Sequence, residues 1–212
     1  MSRADFIRLN TSIMSPPLVP EIRLHLAHEA VPLWQKTEDE LGEMGLPPPF
    51  WAFAWAGGQA LARYVLDNPA VVQSLKVLDL ATGSGLVAIA AAKSGAAHVT
   101  AADIDEFAVT AALLNAGLNQ VVADVKLEDL LNTAPQAFDV ILVGDLFYEK
   151  TVAGKCLAWL KQANGAVALI GDPGRSYLPK DQLENLAEYN VPVTRDLEDA
   201  EIKRTAVWKL KA

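Results

Sequence analysis

The stretch VLDLATGSGLVAIAAAKSGAAHVTAAD, residues 77–103, decides the fold. Val77-Leu78-Asp79-Leu80 is a short apolar run, Gly83-Ser84-Gly85 a turn, and residues 85–94 a helix rich in alanine. A second apolar run over 99–103 closes on Asp103. Strand, glycine turn, helix and strand build a parallel unit whose ligand crevice lies beyond the carboxyl ends of the strands. Asp79 and Asp103 then flank the turn at that end. The expected class is α/β.

The alternation continues outward from this unit. Residues 106–118 read as an amphipathic helix with apolar Phe107, Val109, Ala111, Leu114 and Leu118, and 123–127 as a third strand. The near-continuous apolar run FDVILVG, 138–144, reads as a strand covered on both faces and ends in Asp145-Leu146-Phe147-Tyr148. A helix over 151–161, a strand over 166–171, the turn Asp172-Pro173-Gly174-Arg175 and a helix over 180–189 follow. Two last strands, 191–195 and 205–209, have no helix between them, so an antiparallel pair closes the sheet edge.

Upstream, prolines punctuate residues 1–50, and the period does not separate strand from short helix over 21–29. Residues 33–44 read as a polar helix, and Pro47-Pro48-Pro49 as a rigid extended connector. Phe50-Trp51-Ala52-Phe53-Ala54-Trp55 is dense in rings, either as a core-covering flap or as an aromatic wall beside a ligand. The pair Gly57-Gly58 lets the backbone approach something closely before a helix over 59–66. This divides the chain into an extension, 1–50, on or over the core, and one domain, 51–212.

Composition narrows the class. A chain of 212 residues that is 51% hydrophobic has enough for one sizeable core. A net charge of −8 disfavours general binding to nucleic acid or anionic membranes. One cysteine, no apolar signal core near the start and no 18-residue apolar stretch make a cytoplasmic, membrane-free protein the expectation, with a monomer favoured. His25 and His28 lack a completing ligand set, so no metal is expected. Cys156 sits among Val152, Trp159 and Leu160 and reads as core.

Gly83-Ser84-Gly85-Leu86-Val87-Ala88 also matches the dinucleotide pattern G-x-G-x-x-A. Asp79 argues against that cofactor, because a carboxylate at the strand tip faces the place of a pyrophosphate. S-adenosylmethionine suits the same geometry, since it carries an ammonium for Asp79 and ribose hydroxyls for Asp103.

With those residues in view, VLDLATGSG and AADID resemble the cofactor signature of the seven-strand class I S-adenosylmethionine methyltransferases, with Ala81 where D-x-G-x-G-x-G has its first glycine. A methyl group fits a turn that needs no positive φ at that site, so the alanine is expected to be a tolerable departure. The resemblance implies a Rossmann-like sheet of order 3-2-1-4-5-7-6. PPPFWAFAWAGGQALARYVLDNP, DLFYE and GDPGRSYLP, with PPLVPEIRLHLA near the start, are similar to the electron transfer flavoprotein beta-subunit lysine methyltransferase family, its bacterial members above all. That likeness implies protein-lysine methylation, with the flavoprotein beta subunit as substrate. It implies a D-x-x-Y acceptor motif at Asp145 and Tyr148, and Trp55 beside the adenosine. The carboxylate after the third strand maps onto Asp129, with Glu128 as its near alternative. Gly58, Asp79, Ala81, Gly83, Gly85, Asp103, Ile104 and Asp145 complete the expected cofactor set.

The chemistry demands a neutral nucleophile. Lysine at pH 7 is an ammonium, and its free amine costs roughly 4.6 kcal/mol from a reference pKa of about 10.4. A sulfonium lowers that pKa and Asp145 raises it, so Asp145 is expected to capture and orient the lysine rather than take its proton. Tyr148 is expected to accept a hydrogen bond from the amine and wall it in. Leu146-Phe147 replaces the prolines of the N-P-P-Y or D-P-P-Y slot of base methyltransferases, which argues against a nucleobase. Arg175 reads as a dock for a substrate carboxylate or, more simply, as a loop tie. The competing functions are a small-molecule N-methyltransferase acting on a nicotinamide-like pyridine and a non-catalytic S-adenosylmethionine-binding protein.

Overall fold

The computed structural model describes residues 2–27, 49–163, 165–193 and 201–211. Among them a seven-stranded sheet carries the fold. Its strands are β3 (Lys76–Leu80), β4 (His98–Asp103), β5 (Asp124–Leu127), β6 (Val140–Gly144), β7 (Val167–Asp172), β8 (Leu183–Pro192) and β9 (Ile202–Leu210). They lie in the order β5-β4-β3-β6-β7-β9-β8, which counted from β3 is 3-2-1-4-5-7-6. The first five are parallel, and β9 runs antiparallel between β7 and β8. The order reverses at β3, between β4 and β6, and opens a crevice at their carboxyl ends.

Helices α2 (Ala56–Asp67) and α3 (Leu86–Lys93) cover one face of this sheet, and α5 (Lys150–Gln162) covers the other. α4 (Glu106–Leu118) follows β4, with Asp105 capping it by accepting from the Phe107 N–H. The α4 face that packs inward is made of small residues, Ala108, Ala111, Ala112 and Ala116, whereas Leu113 is exposed. Cys156 is fully buried on α5, and burial pushes its thiol up to about 12, as suits an inert core residue.

One element differs outright. Residues 183–192 form strand β8, preceded only by a short turn of 3-10 helix at Lys180–Gln182, where the sequence favours a helix over 180–189. Pairing with β9 along nine register positions overrides the helix propensity of its Leu, Glu and Ala residues. Of the expected strand 191–195, residues 191 and 192 are the end of β8, residue 193 lies just past it, and residues 194 and 195 lie outside the described residues.

The described N-terminal part folds back on the core. α1 (Arg3–Asn10), β1 (Ser12–Met14) and β2 (Leu24–Leu26) place Val19, Ile22, Leu24 and Leu26 in the same apolar cluster as α2 and α3. Where the sequence left strand or helix open over 21–29, Leu24–Leu26 is a strand, and residues 28 and 29 lie outside the described residues. The helix expected over 33–44, His28 and prolines 47 and 48 lie outside the described residues.

Candidate active site

A cavity of about 570 Å³ lies at the carboxyl ends of β3, β4 and β6, beyond the reversal of strand order. Trp55, Gly58, Asp79, Ala81, Gly83 and Asp103 line it, as do Ile104, Glu128, Asp129, Asp145 and Tyr148. Gly85 does not. It sits in the left-handed region at φ 82° as the cap of α3, with α4 so close that a Cβ would stand 3.1 Å from Ala112.

Asp79 is almost fully buried at the tip of β3. Its Oδ2 accepts from the Thr82 hydroxyl at 2.5 Å and the Ala88 N–H at 2.9 Å. Burial is the largest influence on it and pushes its carboxyl up to about 7, with the Asp103 charge adding to the effect and both hydrogen bonds opposing it. Asp103 accepts from the Gly83 N–H at 2.9 Å and the Asp105 N–H at 3.1 Å, one bond on each oxygen. Burial raises its pKa too, against those backbone bonds. Each oxygen keeps a lone pair, so the carboxylate can still accept two further donors. Ile104 beside it is 72% exposed, an apolar surface on the cavity wall that a flat ring would cover. Across from it, Glu128 is half-buried, and Asp129 is exposed with its Oδ2 accepting from Asn132 at 2.6 Å.

Ala81 departs from expectation. Its φ is 56°, in the left-handed region, so the turn does require a positive φ at this site. The alanine sits at a strain on the order of 1 kcal/mol that glycine would not carry.

The glycine pair approaches the sheet. Gly57 and Gly58 lie inside the first turn of α2, which starts three residues earlier than the helix expected over 59–66. A Cβ on Gly57 would collide with the Gly171 carbonyl and stand 2.8 Å from the Asp145 nitrogen, and one on Gly144 would stand 3.1 Å from the Gly58 Cα. This contact delivers the positive end of α2 to Asp145, whose Oδ2 accepts from the Gly57 N–H at 2.8 Å. Asp145 Oδ1 accepts from Arg175 Nε at 2.6 Å, and the Asp145 N–H donates to the Gly171 carbonyl at 2.9 Å. These bonds hold Asp145 at φ 58°, a conformation rare for aspartate and typical of functional sites. Arg175 is thereby joined to the carboxylate that follows β6.

The rings form a wall. Phe50 lies 5.7 Å from Tyr148 and 5.9 Å from Trp55, whose indole N–H donates to the Phe50 carbonyl at 2.9 Å. Trp51 instead turns inward and stacks on Phe107 of α4 at 6.0 Å. The aromatic stretch thus supplies both a core flap and a cavity wall. Tyr148 is about half-exposed, and burial first, then Glu149, Asp103 and Asp145, raise its phenol pKa and keep it neutral.

Sequence reasoning missed Asn115. It is fully buried, its Nδ2 donates to the Ser84 carbonyl and its Oδ1 accepts from the His25 N–H, both at 2.8 Å. The one signal was an asparagine in the middle of an apolar helix. No group of three metal-ligating side chains occurs among the described residues.

The donor set fits S-adenosylmethionine. A buried carboxylate that resists ionisation gains from a cation, a second carboxylate has lone pairs for two hydroxyls, and Ile104 offers a face for a ring.

Comparison with known proteins separates the candidates. A family model, Ribosomal protein L11 methyltransferase (PrmA), matches residues 59–146. The electron transfer flavoprotein beta subunit lysine methyltransferase of Mus musculus is 40% identical over 212 residues, covering 96% of this chain and 82% of the relative. The chain belongs to that lysine methyltransferase family. It is a methyltransferase of class I fold. Among solved structures, ribosomal protein L11 methylase from Lactobacillus delbrueckii subsp. bulgaricus matches with a TM-score of 0.52 and 24% identity, over 72% of this chain and 77% of that one. Magnesium protoporphyrin IX methyltransferase from Synechocystis PCC 6803 with bound SAM matches with a TM-score of 0.54 and 16% identity, over 73% and 78%. Both likenesses carry the fold.

Proposed function

We propose that this methyltransferase transfers a methyl group from S-adenosylmethionine to the Nζ of lysine in a folded protein, the electron transfer flavoprotein beta subunit, in the cytoplasm. The observation that carries this reading is one cavity lined by Asp79 and Asp103 on β3 and β4 and by Asp145 and Tyr148 just after β6. The names of the family's curated members supply the substrate. Residues 51–212 are taken as the catalytic domain and 1–50 as an extension on it.

Each residue has a role in keeping with its surroundings. Asp79 attracts the cofactor's ammonium, and its burial makes that charge pairing strong. Asp103 accepts the ribose hydroxyls, and Ile104, with Glu128 or Asp129, borders the base. Ala81, Gly83 and Gly58 present backbone without bulk, and Trp55 walls the adenosine. When bound, the cofactor supplies an electrophilic methyl: the amine lone pair forms the N–C bond as the S–C bond breaks and leaves its pair on sulfur. Before that, the lysine ammonium gives its proton to water, a cost of roughly 4.6 kcal/mol at pH 7. Asp145 and Tyr148 orient the amine, and Phe50 with Tyr148 closes the space around its alkyl stem.

The test incubates the enzyme with methyl-labelled cofactor and either purified flavoprotein beta subunit or a bacterial extract. Label in the beta subunit that falls at least tenfold with Asp145→Ala is expected. Label confined to the small-molecule fraction would replace this reading with a pyridine N-methyltransferase.

A further inference from the structure

We propose that Arg175 is a positioning residue that acts through Asp145, holding this carboxylate in a charge-cancelled pair so that the acceptor lysine is received as a neutral amine. The inference rests on the lysine reading above.

An unpaired carboxylate at the acceptor site has the wrong effect. It favours the ammonium, which has no lone pair to attack with, and an opposite charge at this range raises the amine pKa by roughly 1–3 units. The structure does not leave Asp145 in that condition. Arg175 Nε lies 2.6 Å from Oδ1, and the Gly57 N–H, at the positive end of α2, lies 2.8 Å from Oδ2. Both side chains line the cavity and are mostly shielded, at 22% exposure for Arg175 and 6% for Asp145, so their charges act on each other more than on solvent.

The loop is built to deliver this guanidinium. Asp172 Oδ1, buried at the tip of β7, accepts from the backbone N–H of Gly174 at 2.6 Å and of Arg175 at 2.7 Å. Gly174 makes the turn at φ 92°, and the Leu178 N–H closes back on the Arg175 carbonyl at 3.2 Å. Among the described residues, the titratable groups facing Asp145 or the adjacent Tyr148 are Asp172 on β7, Asp103 on β4, Glu149 before α5, and Arg175. Arg175 is the cation of that set. With Arg175 and the Gly57 N–H on its two oxygens, the paired carboxylate orients a neutral amine through its N–H without the uncompensated charge that would draw the proton back.

Methyl transfer to the purified flavoprotein beta subunit is measured from about pH 6.5 to about pH 9.5, where the amine begins to lose its proton. Wild type, Arg175→Gln and Arg175→Lys are compared. Calorimetry gives S-adenosylhomocysteine affinity and beta-subunit binding in its presence, and melting curves check folding. Arg175→Gln is expected to bind both within about twofold of wild type, to lose about tenfold in kcat at neutral pH and to recover at the alkaline end. Its acid limb moves up by about one unit, the lower end of the range for a removed charge partner. Arg175→Lys, which restores the charge, keeps the wild-type limb. A single limb shared by all three, with Arg175→Gln lower by a constant factor at every pH, would make Arg175 a loop tie and overturn the inference, as would loss of beta-subunit binding. Wild type that labels a different protein lysine overturns the substrate reading alone, and the limb comparison on that acceptor still decides the role of Arg175.

Discussion

The carboxyl of Asp79 is buried with a pKa pushed up to about 7, above its ordinary 3.8. Its contribution to the stability of the cofactor-free protein is fully present below the unfolded value and is lost as pH rises through about 7. A cation bound beside the ionised form reverses that penalty, so cofactor binding should expel a proton below neutrality. The expected result is an S-adenosylhomocysteine affinity that rises with pH to near 7 and then levels, with Asp79→Asn weaker and flat over the same range. Calorimetry in two buffers of different ionisation heat checks it, and a sloping Asp79→Asn profile would move the ammonium partner elsewhere. At this scale the sequence was informative where spacing along one strand–turn–strand unit sets position. Asp79 and Asp103 fall near strand tips, and Gly83 in the turn between them, by counting alone. It was misleading on Ala81, because alanine in place of the motif's glycine suggests an ordinary φ where the turn imposes a left-handed one. It was silent on the Asp145–Arg175 pair, whose members are thirty residues apart and meet only once β6 and β7 lie side by side.

The first turn of α2 shows how one element positions the site. Gly57 meets the Gly171 carbonyl and the Asp145 nitrogen, whereas a Cβ on Gly58 would find only the Leu86 Cδ2 at 4.0 Å, an ordinary contact. Gly57→Ala must lift the helix off the sheet and break the bond from its N–H to Asp145, a cost on the order of 3 kcal/mol or more because backbone cannot yield. Gly58→Ala should match wild type or gain up to about 1 kcal/mol from the better helix former. Urea titration of the two variants measures this difference, and equal stabilities would mean that the close approach of α2 to β6 and β7 is not needed. The sequence announced a close approach without its target. Adjacent glycines reveal missing bulk, not which backbone fills the gap. β8 was misread for a related reason: Leu183, Leu186, Ala187 and Tyr189 suit a helix face as well as an edge strand bulged between Asn185 and Ala187. Only pairing with β9 decides between them.

The N-terminal segment joins the whole molecule together by covering α2, α3 and α4 at once. The Leu18 N–H donates to Gln59 on α2, the Arg23 N–H to Asn119 and the His25 N–H to Asn115 on α4, while Val19, Ile22 and Leu24 are fully buried among core residues. Asn115 carries this connection on to the Ser84 carbonyl, so the segment braces the glycine turn from behind. If it is part of the cooperative core, Ile22→Ala should cost about 2–5 kcal/mol, as a cavity in any well-packed interior does. Leu9→Ala, on α1 at 71% exposure, should stay within about 0.5 kcal/mol of wild type. Both variants should melt in a single transition, and Ile22→Ala should weaken S-adenosylhomocysteine binding only as far as it populates the unfolded chain. If Ile22→Ala instead leaves the main transition in place and adds a separate early one, the segment is an appendage that folds onto a finished domain, and the brace through Asn115 plays no part in holding the glycine turn.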